Sequence, residues 1–133
     1  MAIAVTDTAR GSAELVRRAY AAFATGDLVV LAGLFDRECS WHTPGRSAIA
    51  GDYLGRDAVL AQLVRYGRVA RAELRSVAAT DDGPVVAVHR ATGERNGRRL
   101  DARCCVIFEI ADARIVDARE HVFDLHAWDA FWS

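Results

Sequence analysis

The sequence lacks an excess of charge of either sign. Its 133 residues include 17 basic and 18 acidic side chains, which give a formal net charge of -1. The two signs are interspersed, and no basic run of the kind that follows nucleic-acid phosphates or anionic lipid is present. We therefore expect neither nucleic acid nor a membrane among the partners of this protein.

Long uncharged hydrophobic runs are also missing. No segment reaches the ~20 apolar residues that a membrane-spanning helix needs. The N-terminal residues do not combine a basic cluster with the apolar stretch of a secretory signal. These absences predict a soluble, cytoplasmic protein.

Cysteine is scarce, and its spacing does not suggest a framework of cross-links. The three cysteines are an odd number, and Cys104 and Cys105 are adjacent in a predicted strand, so their side chains should face opposite ways. The cysteines and the four histidines do not form a zinc pattern such as C-x-x-C or H-E-x-x-H. We expect no disulfide framework, no metal and no cofactor.

Hydrophobic residues make up 52% of the chain, which at this length suits one domain over residues 1–133 with a single core. Residues 1–11 are polar and aperiodic, and we expect them to be loose. Apolar residues then recur every three or four positions over residues 12–26, which predicts an amphipathic helix. Asp27 can cap a second, short helix, and residues 57–69 return to a helical pattern.

Most of the remaining sequence is extended in pattern. Strands are predicted over residues 39–43, 70–79, 84–92, 98–110 and 114–123, and a short helical tail over residues 125–132. Helices followed by strands predict an α+β domain in which the helices cover one face of a curved antiparallel sheet.

The dipeptide Asn96-Gly97 is the strongest hairpin signal in the chain and fixes a register. A two-residue turn there pairs Arg95 with Arg98 and, counting back along both strands, places His89 opposite Cys104.

A three-residue turn over residues 111–113 would continue this register into the last strand and place Cys104 opposite Glu120. His89, Cys104 and Glu120 would then form one row across three strands. The other positions of that face are apolar and mostly small, so the face should be buried or line a pocket. They are Val85, Ala87, Ala91, Ala102, Val106, Phe108, Val116, Ala118 and Val122.

The opposite face of the same strands is mostly charged and could face water or form a homodimer surface. It carries Arg90, Asp101, Arg103, Glu109, Asp117, Arg119 and His121, with Val86, Val88 and Ile107 between them.

Glu120 is the most suggestive residue for chemistry, because burial on an apolar face raises the pKa of a carboxyl group and brings proton transfer closer to neutral pH. A pairing with an arginine, or a place at a wet rim, is the alternative. His89 could orient Glu120 or share its proton, or it could be a core histidine with satisfied hydrogen bonds.

Cys104 is interpreted as a small hydrophobic residue rather than a nucleophile. Trp41 and Thr43 share one side of their strand, where Trp41 could form an aromatic wall.

Four segments together resemble one known family: Thr25-Gly26-Asp27, the WHTPG segment at residues 41–45, the Gly51-x-Tyr53-x-Gly55-Arg56 segment, and the last strand from Arg114 to Glu120. They resemble the SnoaL-like polyketide cyclases and the ketosteroid-isomerase-like proteins of the NTF2-like superfamily. The resemblance covers nearly the whole chain and implies a cone, in which a curved antiparallel sheet wraps around the N-terminal helices.

The resemblance also implies roles for particular positions. The cyclases of this family use an acidic residue of the last strand as acid/base in an intramolecular aldol closure, and that position falls at Glu120. Their partner histidine would fall near Val106, so His89 would have to substitute for it from the next strand. The aspartate base of the ketosteroid isomerases would fall at Thr43, so we do not expect that mechanism.

The leading hypothesis is a cofactor-free acid/base enzyme of the cyclase or isomerase type that binds a small, largely apolar metabolite in the cone. Its predicted catalytic residues are Glu120 and His89, and its predicted substrate-binding residues are Trp41, Thr43, Cys104, Val106, Phe108 and Ala118.

Two other functions remain open. The first is a non-catalytic small-molecule-binding or dimerisation module. The second, a minor one, is an epoxide hydrolase that uses Asp101, Arg103 and Asp117, although the predicted register places these three on the opposite face. A homodimer is expected under either of the main hypotheses.

Overall fold

The computed structural model describes residues 7–133, which form an α+β domain, as predicted. It has four helices and six strands, one strand more than the five predicted, because the strand at residues 51–54 was not anticipated from the sequence. In chain order the elements are α1 (Asp7–Thr25), α2 (Leu28–Leu34), β1 (Phe35–Thr43), β2 (Gly51–Leu54), α3 (Arg56–Gly67), β3 (Ala70–Ala79), β4 (Val85–Arg95), β5 (Arg98–Ala111), β6 (Arg114–Val122) and α4 (Leu125–Trp132).

The first helix begins earlier than the hydrophobic pattern predicts. Residues 7–11, which we expected to be loose, belong to α1. The same prediction for residues 1–6 concerns residues outside the described range. The helix ends where predicted, because Gly26 adopts a left-handed conformation with φ of 70°. Asp27 then caps α2, accepting a hydrogen bond of 3.1 Å from the backbone nitrogen of Val30.

The six strands form one curved, unclosed sheet in the order β2-β1-β6-β5-β4-β3. The meander β3 to β6 is antiparallel, as predicted. The sequence did not predict two other pairings, the antiparallel one of β1 with β2 and the parallel one of β1 with β6. A parallel pairing needs a long crossover, here the chain from β1 through α3 and the meander, so no local turn signal reveals it.

The predicted register is right on one side of β5 and wrong on the other. Arg95 pairs with Arg98 and His89 with Cys104, as the Asn-Gly turn predicts. Glu120, however, lies opposite Val106 instead of Cys104. The turn before β6 contains only Asp112 and Ala113, both at positive φ, and an irregularity at Glu109/Ile110 adds to the displacement.

The predicted row of His89, Cys104 and Glu120 is therefore incorrect. A displacement of two residues nevertheless keeps Glu120 on the predicted face, because side chains alternate along a strand with a period of two. Near the bulge the face changes, and Ile115 is buried there where Val116 was expected.

The helices cover one face of the sheet, as predicted. α1 packs against β3 and β4, α3 against β1, and α4 against β5. Trp128, Phe131 and Trp132 of α4 are buried in a second hydrophobic cluster. Within residues 7–133, no helix combines the length and hydrophobicity that crossing a bilayer would take.

Gly93 of β4 lies against the backbone of the neighbouring strand, and this contact generates a test of the fold. A Cβ atom at this position would come within 2.6 Å of the Val69 carbonyl oxygen and 3.1 Å of the Ala70 Cα atom. We predict that Gly93→Ala lowers the free energy of unfolding by about 1–3 kcal/mol, measured by urea denaturation, because backbone atoms cannot move aside easily.

Gly33→Ala in α2 is the matched control, since no atom lies within 4 Å of its added methyl group. Alanine favours a helix over glycine, so this variant should be as stable as the wild type or up to about 1 kcal/mol more stable. Equal stability of Gly93→Ala and the wild type would contradict the packing of β4 against β3.

Candidate functional site

A cavity lies between the helices and the inner face of the sheet, and the empty volume there is about 560 Å³ when the open solvent at its mouth is included. Its wall is largely apolar and aromatic, and several polar groups are set into it. The apolar lining residues are Ala19, Phe23, Leu31, Phe35, Trp41, Leu63, Ala72 and Phe108; the polar ones are Tyr20, Gln62, Tyr66, His89 and Glu120.

Glu120 is held in this wall by two side chains of the neighbouring strand. The indole Nε1 of Trp41 donates a hydrogen bond of 2.7 Å to Oε1 of Glu120, and the hydroxyl of Thr43 donates one of 2.9 Å to the same oxygen. The parallel pairing of β1 with β6 sets Trp41 beside Ala118, so Trp41, Thr43 and Glu120 point to the same side. Trp41 and Thr43 thus share one side of their strand, as predicted.

The surroundings of Glu120 favour its neutral form. The side chain is only 7% exposed, and burial raises the pKa of its carboxyl group, while the hydrogen bonds from Trp41 and Thr43 partly oppose this. Among the described residues that line the cavity, none is a lysine or an arginine. The arginine pairing considered as an alternative for Glu120 does not occur within residues 7–133.

His89 lies on the same face but contacts Tyr20 instead of Glu120. The Tyr20 hydroxyl and His89 Nδ1 are 2.6 Å apart, and Nε2 of His89 is buried without a hydrogen-bond partner in the described part of the chain. Burial lowers the pKa of His89 to about 4, so its imidazole is neutral at pH 7. The same effect raises the pKa of the Tyr20 hydroxyl, with a further contribution from Glu120, and keeps it protonated.

The register explains why His89 does not touch Glu120. The two residues lie on β4 and β6 with β5 between them, and they are offset by two positions along the strands. Ordinary strand spacing and rise place their Cα atoms roughly 12 Å apart. The histidine and the carboxylate therefore occupy different parts of the cavity wall, and a direct orienting contact is not formed.

The other predicted pocket residues divide into two groups. Trp41 and Phe108 line the cavity. Thr43 does not line it but donates a hydrogen bond to Glu120, which does. Three more, Cys104, Val106 and Ala118, are buried in the sheet but do not line the cavity. Burial, with a smaller contribution from Glu120, raises the pKa of Cys104 to about 12, so its thiol stays protonated, consistent with a small hydrophobic role.

Sequence reasoning missed two polar residues of the cavity, Gln62 and Tyr66. With Val59 they form the buried stripe of α3 at helical spacing, and a glutamine on such a stripe was the available signal. Arg65 donates to Oε1 of Gln62, whereas the Tyr66 hydroxyl is buried without a partner among the described residues.

The outer face of the sheet carries a separate polar cluster. His42 bonds to Asp52 at 2.6 Å and to Asp117 at 2.7 Å, and these bonds, that of Asp52 above all, raise its pKa. Asp101 pairs with Arg90 on the same face.

The three residues of the epoxide-hydrolase hypothesis thus lie outside the cavity, as the predicted register indicates. The homodimer expected through this face stays a prediction.

Comparison with known proteins gives this site a family context. The model of the SnoaL-like domain matches residues 16–118. An uncharacterized protein of Mycobacterium tuberculosis is 36% identical over 124 residues, which cover 90% of this chain and 95% of that protein. The solved structure of Bal32a, from a soil-derived mobile gene cassette, is 52% identical with a TM-score of 0.93, covering 96% of this chain and 100% of that one.

More distant solved structures share the fold. An NTF2-like protein of Burkholderia xenovorans is 21% identical with a TM-score of 0.81, covering 93% of this chain and 97% of that one. A Xanthomonas campestris protein named as a candidate polyketide cyclase is 21% identical with a TM-score of 0.77, covering 96% of this chain and 100% of that one. The cone implied by the sequence resemblance is thereby confirmed as the NTF2-like fold.

The two hydrogen bonds to Glu120 generate a prediction about its titration. Thr43→Val removes one donor at nearly constant volume, so the pKa of Glu120 should rise further, because the lost bond favours the charged form. Carbon-detected NMR of the carboxyl group measures the change. Ser40→Ala on the same strand is the control: Ser40 donates to Asp117, so the pKa of Glu120 should not change. Identical titration of Glu120 in Thr43→Val and the wild type would mean that this bond is not formed.

The low pKa of His89 predicts a pH dependence of stability. Between pH 6.5 and about 4 the unfolded chain binds a proton at His89 that the folded protein does not, so the free energy of unfolding falls as the pH falls. The loss attributable to His89 is roughly 3 kcal/mol across that window.

Urea denaturation at several pH values checks this, because His89→Gln should lose that part of the slope. His126→Gln changes an exposed histidine and should keep the wild-type slope. A slope that survives in His89→Gln would show that another group causes it.

Proposed function

Because the chain belongs to the SnoaL-like family, we propose that it is an acid/base enzyme of the cyclase or isomerase type. Its substrate is a small, largely apolar molecule that binds in the cavity between the helices and the sheet. Glu120 is the general acid/base, and Trp41 and Thr43 hold it in place.

The observation that carries this proposal is a buried carboxyl group without a cationic partner, set in the wall of an apolar cavity. Such an arrangement destabilises the folded protein when the carboxyl group is ionised, since desolvation disfavours the charge. The raised pKa lies closer to neutral pH than that of an ordinary carboxyl group. A group whose pKa is near the working pH can both accept and release a proton. A purely structural acceptor for the hydrogen bonds from Trp41 and Thr43 would not need an ionisable group, because a glutamine side-chain oxygen could accept the same bonds.

The hydrogen bonds to Glu120 suit a proton-transfer role. Both donors bind Oε1, which leaves Oε2 as the oxygen available to a substrate. Trp41 and Thr43 belong to a strand of the sheet, so the orientation of the carboxyl group is fixed before a ligand binds. Fixed orientation of a catalytic group contributes to rate by avoiding reorganisation during the reaction.

The proposed step is the transfer of a proton from carbon to Glu120. The carboxylate takes a proton from the carbon next to a carbonyl group, the C–H electron pair becomes part of an enolate, and negative charge develops on the carbonyl oxygen. In an isomerisation the protonated Glu120 returns the proton to a different carbon. In a cyclisation the enolate carbon attacks a second carbonyl group of the same molecule, and the new alkoxide takes the proton from Glu120.

The reaction class has support from the comparisons at the level of fold. The Xanthomonas campestris neighbour named as a candidate polyketide cyclase has the same architecture, but at 21% identity it does not carry over a substrate. The residues argue for a reaction class, proton transfer beside a carbonyl group, more directly than for a particular metabolite.

Exchange of carbon-bound hydrogen in D2O tests the proposal without knowledge of the natural substrate. With 2-tetralone, an apolar bicyclic ketone, we predict that the wild-type protein accelerates deuterium incorporation next to the carbonyl group, observed by proton NMR. Glu120→Gln should lose about two to four orders of magnitude of that rate. Glu109→Gln, which alters an exposed carboxyl group on the outer face, is the matched control and should retain the rate.

A stability measurement separates loss of function from loss of fold. The raised pKa of Glu120 means that its contribution to stability is present at low pH and is lost as the pH rises through the folded-state pKa. Glu120→Gln should therefore be at least as stable as the wild type at pH 8. A stable variant with undiminished exchange, or a wild type that gives no acceleration, would favour the non-catalytic binding module instead.

A further inference from the structure

The cavity contains a second polar pair that the role of Glu120 does not explain. Tyr20 and His89 form a hydrogen bond of 2.6 Å and both line the cavity. The remaining ring nitrogen of His89, Nε2, is buried and has no partner within residues 7–133. A buried polar atom without a partner is costly, and native proteins rarely leave one unless a ligand or water completes its bonding.

The hydrogen bond to Tyr20 determines which ring nitrogen carries the proton. A phenol hydroxyl has one hydrogen to donate, and His89 Nδ1 is the acceptor that the structure provides for it. When Nδ1 accepts, the proton of the neutral imidazole must lie on Nε2. If the proton were on Nδ1 instead, the Tyr20 hydrogen would lose this acceptor, and the lone pair of Nε2 would be buried and unused.

We propose that His89, held as its Nε2–H tautomer by Tyr20, donates a hydrogen bond to an oxygen atom of the ligand. The ligand is then an uncharged, largely apolar molecule with a carbonyl or phenol oxygen, bound with that oxygen at His89 and its carbon skeleton toward Glu120. His89 is the residue that touches the ligand, and Tyr20 is a positioning residue that acts through it. This proposal rests on the proposed function in one respect only: both place the ligand in the same cavity.

Charge in the cavity supports this class of ligand. The described lining residues include no lysine or arginine to neutralise an anionic ligand, and an ionised Glu120 would repel a carboxylate. A neutral imidazole N–H can stabilise negative charge that develops on a carbonyl oxygen without handing over its proton. In the proposed proton transfer, charge develops at that oxygen while the proton moves to Glu120.

Nitrogen NMR of 15N-histidine-labelled protein at pH 7 tests the tautomer directly, with no ligand required. In the wild type we expect the His89 Nε2 signal at the position of a protonated nitrogen and Nδ1 at that of an unprotonated one. Tyr20→Phe should shift both signals toward an average of the two tautomers. Tyr53→Phe is the matched control, since Tyr53 donates to the Ile49 carbonyl at 2.6 Å and does not line the cavity.

A pair of ligands tests the oxygen site. We expect 2-naphthol to bind more tightly than naphthalene, which has the same rings without the oxygen, and its binding to shift the His89 Nε2–H proton signal. Tyr20→Phe should weaken 2-naphthol binding by up to about tenfold and leave naphthalene binding unchanged, because only the first uses the oriented donor.

Three results would each overturn the proposal. The first is a wild-type His89 protonated on Nδ1, and the second is a tautomer that does not respond to Tyr20→Phe. The third is 2-naphthol that does not bind, or binds no more tightly than naphthalene. None of these measurements requires turnover. If the Glu120→Gln variant also binds 2-naphthol more tightly than naphthalene, the oxygen-binding site at His89 is supported independently of whether Glu120 transfers protons.

Discussion

The parallel pairing of β1 with β6 is the contact on which the site depends. It joins an early strand to the last one and sets Trp41 and Thr43 beside Glu120, so that two donors converge on a single carboxylate oxygen. Without that pairing, Glu120 would be a buried carboxyl group with neither partners nor a fixed direction. The sheet therefore does more than enclose the cavity, since its strand order supplies the hydrogen bonds that make a buried acid tolerable.

Burial shifts the pKa values of Glu120 and His89 in opposite directions. It raises the pKa of the Glu120 carboxyl group and lowers that of His89 to about 4, so in both cases it favours the uncharged form. A neutral imidazole beside a protonated phenol can donate or accept hydrogen bonds, while the carboxyl group exchanges protons. One apolar environment thus assigns different chemistry to two residues whose Cα atoms lie roughly 12 Å apart, and each assignment costs stability over part of the pH range.

Local signals in the sequence were sufficient for the helices, the meander and the face on which Glu120 lies. The Asn96-Gly97 turn indicated the correct register, and the period of two kept Glu120 on the right face although the register of the last strand was displaced by two residues. The partners of Glu120 and His89 could not be predicted in the same way. The bond from Trp41 depends on a parallel pairing between distant strands, and the bond from Tyr20 depends on how α1 lies across the sheet. Neither leaves a local pattern.

The central claim is that Glu120 exchanges a proton with a ligand in the cavity, and its most direct test joins two titrations of the same protein. One is the ionisation of the Glu120 carboxyl group by carbon-detected NMR, and the other is the rate of deuterium exchange into 2-tetralone over the same pH range. If Glu120 is the base, the rate rises with pH through a midpoint equal to the pKa of its carboxyl group in the free protein, and that pKa lies above ~4.3. A rate that rises through a different midpoint, or a Glu120 pKa at or below that ordinary value, would contradict the account.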